Sequence, residues 1–176
     1  MIKRLLLMCC LFGIPLFAIA DEQEDPLISI INARQAETTV EQNTQTPPPT
    51  DAVDVVFKAL SLVGTPYRYG GNNPDQGFDC SGFVNYVFYN AFGIKLPRTA
   101  AEIGQRGDTI AKDNLQVGDL VFFNTMRRSF SHVGIYIGEG LFIHAPSSGS
   151  SVRMDNLNDR YWTKRYEGAR RFLSGF

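Results

Sequence analysis

The apolar residues of this chain change their spacing partway along it, and that change limits the fold more than any other feature. In residues 53–63 and again in 83–88 they recur every three or four positions, as amphipathic helices require. From residue 118 onward the apolar runs are short, rich in β-branched and aromatic residues, and separated by turn residues, which is typical of strands. Helices that precede strands indicate an α+β fold with an antiparallel sheet rather than alternating βαβ units.

Three helices and five strands are predicted from these patterns. The first helix ends at Gly64, the second runs from Cys80 to Gly93, and the third opens with a capping box formed by Thr99 and Glu102. The predicted strands lie in residues 118–123, 133–137, 141–144, near 152, and 169–173.

The first twenty residues have the form of a secretory signal peptide. Lys3 and Arg4 precede an uncharged apolar run over residues 5–20, which ends in a small-x-small cleavage pattern. The run is shorter than the roughly 20 residues of a spanning helix and contains Pro15. We expect the protein to be exported to the periplasm or cell wall, with no stable membrane span after cleavage.

Residues 21–50 are polar and end in a proline-rich segment, which predicts a flexible tether. The folded domain is then expected over residues 51–176. The whole chain has 17 basic and 18 acidic side chains, and this balance argues against a nucleic-acid binder.

The cysteine content points to one special thiol. Cys9 and Cys10 lie in the predicted signal peptide, and they follow Leu-Met rather than a small pair, which disfavours a lipid anchor. Cys80 is then the single cysteine of the mature chain, so no intramolecular disulfide can form. An unpaired thiol in an oxidising compartment is either a buried apolar group or a nucleophile.

The position of Cys80 in the sequence favours the second of these possibilities, a nucleophile. It begins a predicted helix, where backbone N–H groups and the helix dipole stabilise the thiolate. Such a nucleophile needs an acid/base partner, and the chain has two histidines, His132 and His144.

These histidines flank the turn Gly138-Glu139-Gly140, and the turn length decides whether they meet. A three-residue turn places His144 opposite Gly134 and on the same face as His132. A two-residue turn places the two histidines on opposite faces of the sheet. In the first register His144 hydrogen-bonds His132 and orients it, and the missing side chain of Gly134 leaves room for the rings.

Six ordered motifs resemble the NlpC family of bacterial cell-wall cysteine peptidases, which are compact relatives of papain. The C-terminal segment is most similar to the Gram-negative murein endopeptidases of that family. The motifs occupy residues 64–71, 78–84, 96–99, 118–121, 131–138 and 142–145.

The resemblance implies a papain-like α+β fold, in which N-terminal helices pack on an antiparallel sheet and the nucleophile begins a helix. It implies Cys80 as the nucleophile, His132 as general base and acid, and His144 as the orienting third residue. Tyr67 matches a family tyrosine near the nucleophile that donates to the oxyanion; packing alone is the alternative for this residue.

Asp79 and Ser81, by the same resemblance, line a subsite for the amino group of the substrate. Helix capping is the alternative for Asp79. A zinc site made of Cys80 and both histidines is a further alternative, but no C-x-x-C or H-E-x-x-H spacing supports it, so neither a metal nor a cofactor is expected.

The implied function is hydrolysis of an amide bond in peptidoglycan stem or cross-link peptides through an acyl-enzyme, with the D-Ala to diaminopimelate cross-link favoured. The alternatives are cleavage of the γ-D-glutamyl to diaminopimelate bond, acyl transfer or cleavage of the muramyl amide, and a non-catalytic peptidoglycan-binding module. Peptidoglycan peptides are the expected partners, and the sequence identifies no adaptor protein.

Overall fold

The computed structural model describes residues 50–173, and its first helix begins at Thr50. The predicted signal peptide at residues 1–20 and the predicted tether, apart from Thr50, lie outside the described residues. Within residues 50–173 no helix combines the length and apolar character needed to cross a membrane.

Four α-helices are present in the described range: α1 (Thr50–Leu60), α2 (Cys80–Phe92), α3 (Ala100–Ile103) and α4 (Arg160–Thr163). The second ends as the sequence predicts, because Gly93 adopts a left-handed φ of 70° that residues with a side chain disfavour. The capping box at the start of α3 is also formed. The short helix α4 was not predicted, since four residues are too few to show a helical period.

Strands β1 (Asn72–Asn73) and β2 (Gly77–Phe78) form a small hairpin, and six further strands form one antiparallel sheet in the order β3-β8-β4-β5-β6-β7. The predicted α+β class is therefore confirmed. The six strands are β3 (Asp108–Ile110), β4 (Leu120–Phe123), β5 (His132–Gly138), β6 (Leu141–His144), β7 (Arg153–Asn156) and β8 (Tyr166–Arg171). Strand β3 was missed because it is short and largely exposed at the sheet edge.

Both faces of the sheet are covered, and strand β4 lies near its centre. All four residues of β4 are buried, which explains why its sequence is a continuous apolar run rather than an alternation. Leu120 and Phe122 join the core shared with α1 and α2, while Val121 and Phe123 face a second core. That second core contains Phe142 and Trp162.

Helix α2 packs against α1 and against β5. Its first residue, Cys80, therefore lies close to the beginning of β5, where His132 lies. This contact between a helix N-terminus and a strand start brings together residues that are far apart in the sequence.

Candidate active site

Cys80 is the first residue of α2, and Asp79 caps this helix. The backbone of Asp79 is extended (φ −88°, ψ 176°), and its Oδ1 accepts a hydrogen bond from the N–H of Gly82 at 2.7 Å. An aspartate cap satisfies a helix N–H that would otherwise lack a partner. The capping role considered for Asp79 is therefore present.

Gly82 lets a neighbouring loop approach the start of α2. A Cβ built on Gly82 would lie 2.0 Å from the carbonyl oxygen of Gly71, so only glycine fits this contact. The Gly71 carbonyl also accepts a hydrogen bond from the N–H of Asp79 at 3.1 Å. The loop thereby holds the first turn of the helix that carries the thiol.

A cleft of about 680 Å³ opens beside Cys80, a volume within the usual range for ligand sites. Cys80, His132 and Tyr67 all line it, as the assignment of catalytic residues requires. The remaining walls come mainly from the β4–β5 loop, the segment after β6, strand β7 and helix α4, and include Thr125, Ser131, Pro146, Arg153, Asp155 and Trp162.

Burial raises the pKa of the Cys80 thiol to about 11, and the charge of Asp79 acts in the same direction. Hydrogen bonds from the backbone N–H groups of Val133, Ser81 and Cys80 itself oppose this rise. The helix N-terminus thus favours the thiolate, as the sequence predicts, but desolvation is the larger effect. The contact with Val133 places the sulfur beside the start of β5.

His132 and His144 meet as the three-residue turn predicts, although the turn itself differs. Ile135 pairs with Ile143 and Tyr136 with Phe142, which is the predicted register. The chain reverses through a two-residue turn at Glu139 and Gly140, both with positive φ, and a bulge between Tyr136 and Gly138 restores the register.

The two imidazoles are buried and hydrogen-bonded, with His132 Nε2 2.8 Å from His144 Nδ1. Because His132 Nε2 makes this contact, Nδ1 is the ring nitrogen that remains to exchange a proton with the Cys80 thiol. Burial lowers the pKa of His132 well below 6.5, and it also lowers the pKa of His144. Both rings are therefore neutral at physiological pH, and His132 is able to accept a proton.

The hydrogen-bonded chain continues to a residue that the sequence analysis missed. His144 Nε2 lies 3.0 Å from Oδ2 of Asp155, on strand β7. The indole N–H of Trp162 donates to the same oxygen at 3.0 Å, and Arg153 donates to both carboxylate oxygens. The alternating Arg153-Met-Asp155 pattern, next to the predicted strand near residue 152, was the signal that could have revealed it.

Trp162 encloses this side of the site. Its indole stacks on the His132 ring, with 5.6 Å between ring centroids and 21° between planes, and meets the His144 ring edge-on. Helix α4, which supplies Trp162, was absent from the sequence prediction, so this contact could not be foreseen.

Tyr67 lines the same cleft and lies near the thiol. Partial burial raises the pKa of its phenol, and the neighbouring Cys80 and Asp79 charges raise it further. The hydroxyl therefore keeps its proton and remains a hydrogen-bond donor at neutral pH. Its role toward an oxyanion stays a prediction.

Asp79 and Ser81 do not belong to the residues that line this cleft. The Asp79 carboxylate accepts hydrogen bonds from Gly70, Gly82, Ser81 and both terminal nitrogens of Arg98, the shortest being those from Gly82 and Arg98, each at 2.7 Å. Arg98 also donates to the Ser81 hydroxyl at 3.0 Å. The acceptor positions of this carboxylate are thus occupied within the protein. The subsite for a substrate amino group stays a prediction.

The zinc arrangement considered from the sequence is not formed by these residues. Residues 50–173 contain no group of three or more His, Cys, Asp or Glu side chains placed to hold a metal ion.

Comparison with known proteins gives consistent matches. Residues 64–171 match the NlpC/P60 family. The chain is 45% identical over 126 residues to the γ-DL-glutamyl hydrolase of Bacillus subtilis, covering 71% of this chain and 30% of that protein. It is 46% identical over 111 residues to the Escherichia coli murein DD-endopeptidase MepS/murein LD-carboxypeptidase, covering 63% of this chain and 57% of that protein.

A solved NlpC/P60 family protein from Bacillus cereus superimposes with a TM-score of 0.65 at 38% identity, covering 72% of this chain and 41% of that one. The chain thus spans about a third to just over half the length of these relatives. The family match covers more than half of the chain and agrees with the fold. The chain belongs to the NlpC/P60 family.

Proposed function

We propose that this protein is a cysteine endopeptidase that hydrolyses amide bonds in peptidoglycan peptides. The observation that carries the proposal is a single cleft lined by Cys80 and His132, in which His132 is hydrogen-bonded to His144. A nucleophile, a base and a group that orients the base are what acyl transfer requires. The murein DD-endopeptidase among its relatives supports this substrate class.

In the first step Cys80 attacks the amide carbonyl. The raised pKa of the thiol and the lowered pKa of His132 describe a neutral resting pair. His132 therefore takes the thiol proton as the S–C bond forms, which is general-base catalysis rather than attack by a preformed thiolate. The Cys80 backbone N–H and the Tyr67 hydroxyl are the proposed donors to the oxyanion.

In the second step the tetrahedral intermediate collapses and the C–N bond breaks. His132 gives its proton to the departing amine, which leaves an acyl thioester on Cys80. Water then gives a proton to His132 and attacks the thioester carbonyl. The C–S bond breaks, the proton returns to the sulfur, and the products are a carboxylic acid and an amine.

The bond proposed for cleavage is the D-Ala to diaminopimelate cross-link. The similarity to a murein DD-endopeptidase supports it. The second candidate is the γ-D-glutamyl to diaminopimelate bond, which the similarity to a γ-DL-glutamyl hydrolase favours.

The proposed substrate lies outside the cytoplasm, which agrees with the signal peptide that the first twenty residues predict. Export to the periplasm or cell wall is part of the same proposal.

The test uses purified muropeptides of defined structure, with cross-linked dimers and single stems incubated separately and the products weighed by mass spectrometry. We expect dimers to become monomers and single stems to remain intact. Cys80→Ala should lower turnover on the order of 10³-fold or more, because it removes the group that forms the acyl-enzyme.

The control for folding is the circular dichroism spectrum and urea midpoint of the Cys80→Ala variant, which should match the parent. Cleavage of the single stem between Glu and diaminopimelate would instead establish the second candidate. Tight binding of either muropeptide without any cleavage would favour a non-catalytic binding module. Undiminished hydrolysis by Cys80→Ala would rule out the thiol mechanism.

A further inference from the structure

Asp155 ends a continuous line of hydrogen bonds that begins at His132. The contacts run from His132 Nε2 to His144 Nδ1 at 2.8 Å and from His144 Nε2 to Asp155 Oδ2 at 3.0 Å. No part of the function proposed above requires this carboxylate. Its position in the sheet nevertheless directs it at the face of His144 that points away from His132.

The sheet register accounts for this placement. Strand β7 pairs with β6 so that Arg153 lies opposite His144 and Asp155 lies opposite Phe142. Residues two apart on a strand share a face, so Asp155 and His144 are diagonal neighbours on one face of the sheet. That diagonal separation is within reach of an aspartate and an imidazole.

Two further residues fix the carboxylate. Arg153 donates through Nε to Oδ1 and through Nη2 to Oδ2, both at 3.0 Å. Trp162 donates its indole N–H to Oδ2 at 3.0 Å. Burial of the carboxylate raises its pKa, but the hydrogen bonds from His144 and Arg153 outweigh burial and hold the pKa of Asp155 well below its usual range, so the group is an anion at physiological pH.

An ionised carboxylate only accepts hydrogen bonds, and this fixes every proton along the line. His144 must carry its proton on Nε2, next to Asp155. The Nδ1 atom of neutral His144 is then an acceptor, so the proton shared with His132 belongs to Nε2 of His132. The remaining nitrogen of His132, Nδ1, is left with a lone pair.

We propose that Asp155 is a positioning residue that acts through His144 to keep His132 in the tautomer with an unprotonated Nδ1, the form able to take the Cys80 proton. The inference rests on the proposed function for the identity of Cys80 and His132 as the reacting pair. Asp155 is then the fourth residue of the site after Cys80, His132 and His144. Arg153 and Trp162 hold its carboxylate in place.

Asp155 also acts as the counter-charge when His132 becomes an imidazolium. Its charge raises the pKa of His132 and His144, against burial and against the charge of Arg153, which lower both. Removal of the carboxylate therefore disfavours the intermediate in which His132 is protonated. It also allows His144 and His132 to adopt the other neutral tautomer.

The first test is a double-mutant cycle on muropeptide hydrolysis. We expect Asp155→Ala to lower kcat by about 10- to 100-fold with little change in KM, the usual effect of losing a group that orients a reacting residue. His144→Ala should cause a large partial loss. In the His144→Ala background, Asp155→Ala should add less than about a threefold loss, because residues that act as a unit are not additive.

Asp113→Ala is the matched control, since Asp113 is exposed in the 3₁₀ turn at Lys112–Asn114. It should leave kcat unchanged. A full Asp155 effect in the His144→Ala background would show that Asp155 does not act through His144 and would overturn the proposal, as would an unchanged kcat in Asp155→Ala.

The second test reads the tautomers directly, without substrate. The sequence has two histidines, so the imidazole ¹⁵N NMR spectrum of the untagged, ¹⁵N-labelled protein contains few signals and is readily assigned. We expect both rings to be protonated on Nε2 in the parent protein. In Asp155→Ala, His144 should show a mixture of tautomers.

A parent spectrum with His144 protonated on Nδ1 would overturn the proposal even if Asp155→Ala fails to fold. The two proposals fail in different ways. Absence of hydrolysis by the parent protein counts against the proposed function, whereas the NMR result stands on the resting protein alone.

Discussion

At the scale of single residues, Cys80 shows how two local effects compete. The N-terminus of α2 supplies N–H groups that favour the thiolate, as the sequence predicts. Burial beside β5 removes the water that would solvate the negative charge, and it outweighs those N–H groups. The resting thiol is therefore neutral, and its reactivity depends on His132 being ready to receive the proton.

This balance predicts how Cys80 reacts with iodoacetamide. Because only the thiolate is alkylated, the rate should rise about tenfold per pH unit between pH 7 and pH 9, with no plateau in that range. Mass spectrometry of the alkylated protein measures the rate, and free cysteine, with a pKa of about 8.5, is the reference. A rate that is already constant between pH 5 and pH 7 would indicate a preformed thiolate–imidazolium pair instead.

At the scale of elements, the β5–β6 hairpin places both histidines in the same wall of the site. Its two-residue turn would by itself put them on opposite faces, and the bulge before Gly138 corrects this. Gly134 lies on β5 two residues after His132, where an added Cβ would be 2.7 Å from Phe142 Cδ2 and 3.1 Å from His144 Cβ. The hairpin therefore requires glycine at residue 134 because a side chain does not fit there, and not because of its φ.

Gly134→Ala should disturb both stability and catalysis. Overpacking of this kind costs about 1–3 kcal/mol of unfolding free energy, and displacement of His144 should also reduce kcat. Urea denaturation and hydrolysis of the cross-linked muropeptide measure the two effects.

The matched control for this change is Gly93→Ala at the C-terminus of α2. An added Cβ there meets nothing within 4 Å, but the left-handed φ costs about 1–2 kcal/mol. It should lose similar stability while keeping its kcat. Equal kcat values for the two variants would mean that Gly134 matters only for folding.

At the scale of the whole molecule, strand β8, the last strand of the described residues, lies between two earlier strands of the sheet. It pairs with β3 on one side and β4 on the other. Arg171, near its end, donates to both oxygens of Asp119 at 2.7 and 2.8 Å, and Asp119 is only 1% exposed. This ion pair links the last strand to the residue just before the central strand β4.

Asp119→Ala should weaken the whole fold. The substitution leaves Arg171 without its carboxylate partner and the N–H of Gln116 without its acceptor. We expect the free energy of unfolding to fall by about 3 kcal/mol, the lower end of the range for broken buried ion pairs, because Arg171 is partly exposed. The urea midpoint should fall with an unchanged m-value. Asp113→Ala, on the exposed turn, should change stability by less than about 0.5 kcal/mol. An equally small change in stability for Asp119→Ala would contradict a stabilising role for the ion pair between Asp119 and Arg171.

The predictions from sequence were accurate where one local pattern was sufficient. The bounds of α2 and the capping box at Thr99 follow from periodicity and caps. The register that pairs Ile135 with Ile143 was one of two that the sequence left open, because it depends on the bulge before Gly138 as well as on the turn. The short elements β3 and α4 lie below the length at which periodicity can be recognised. Asp155 was missed for the same reason, because its strand shows only four residues and its importance depends on a neighbour eleven positions away.

The sequence by itself determined the α+β order, the position of Cys80 at a helix start and the two histidines on one hairpin, because spacing and turn chemistry act between residues close along the chain. Only the tertiary structure decided the protonation of Cys80, the extension of the histidine pair to Asp155, and the closure of Trp162 over both rings. Those features depend on burial and on hydrogen bonds between strands and helices that meet only in the folded protein.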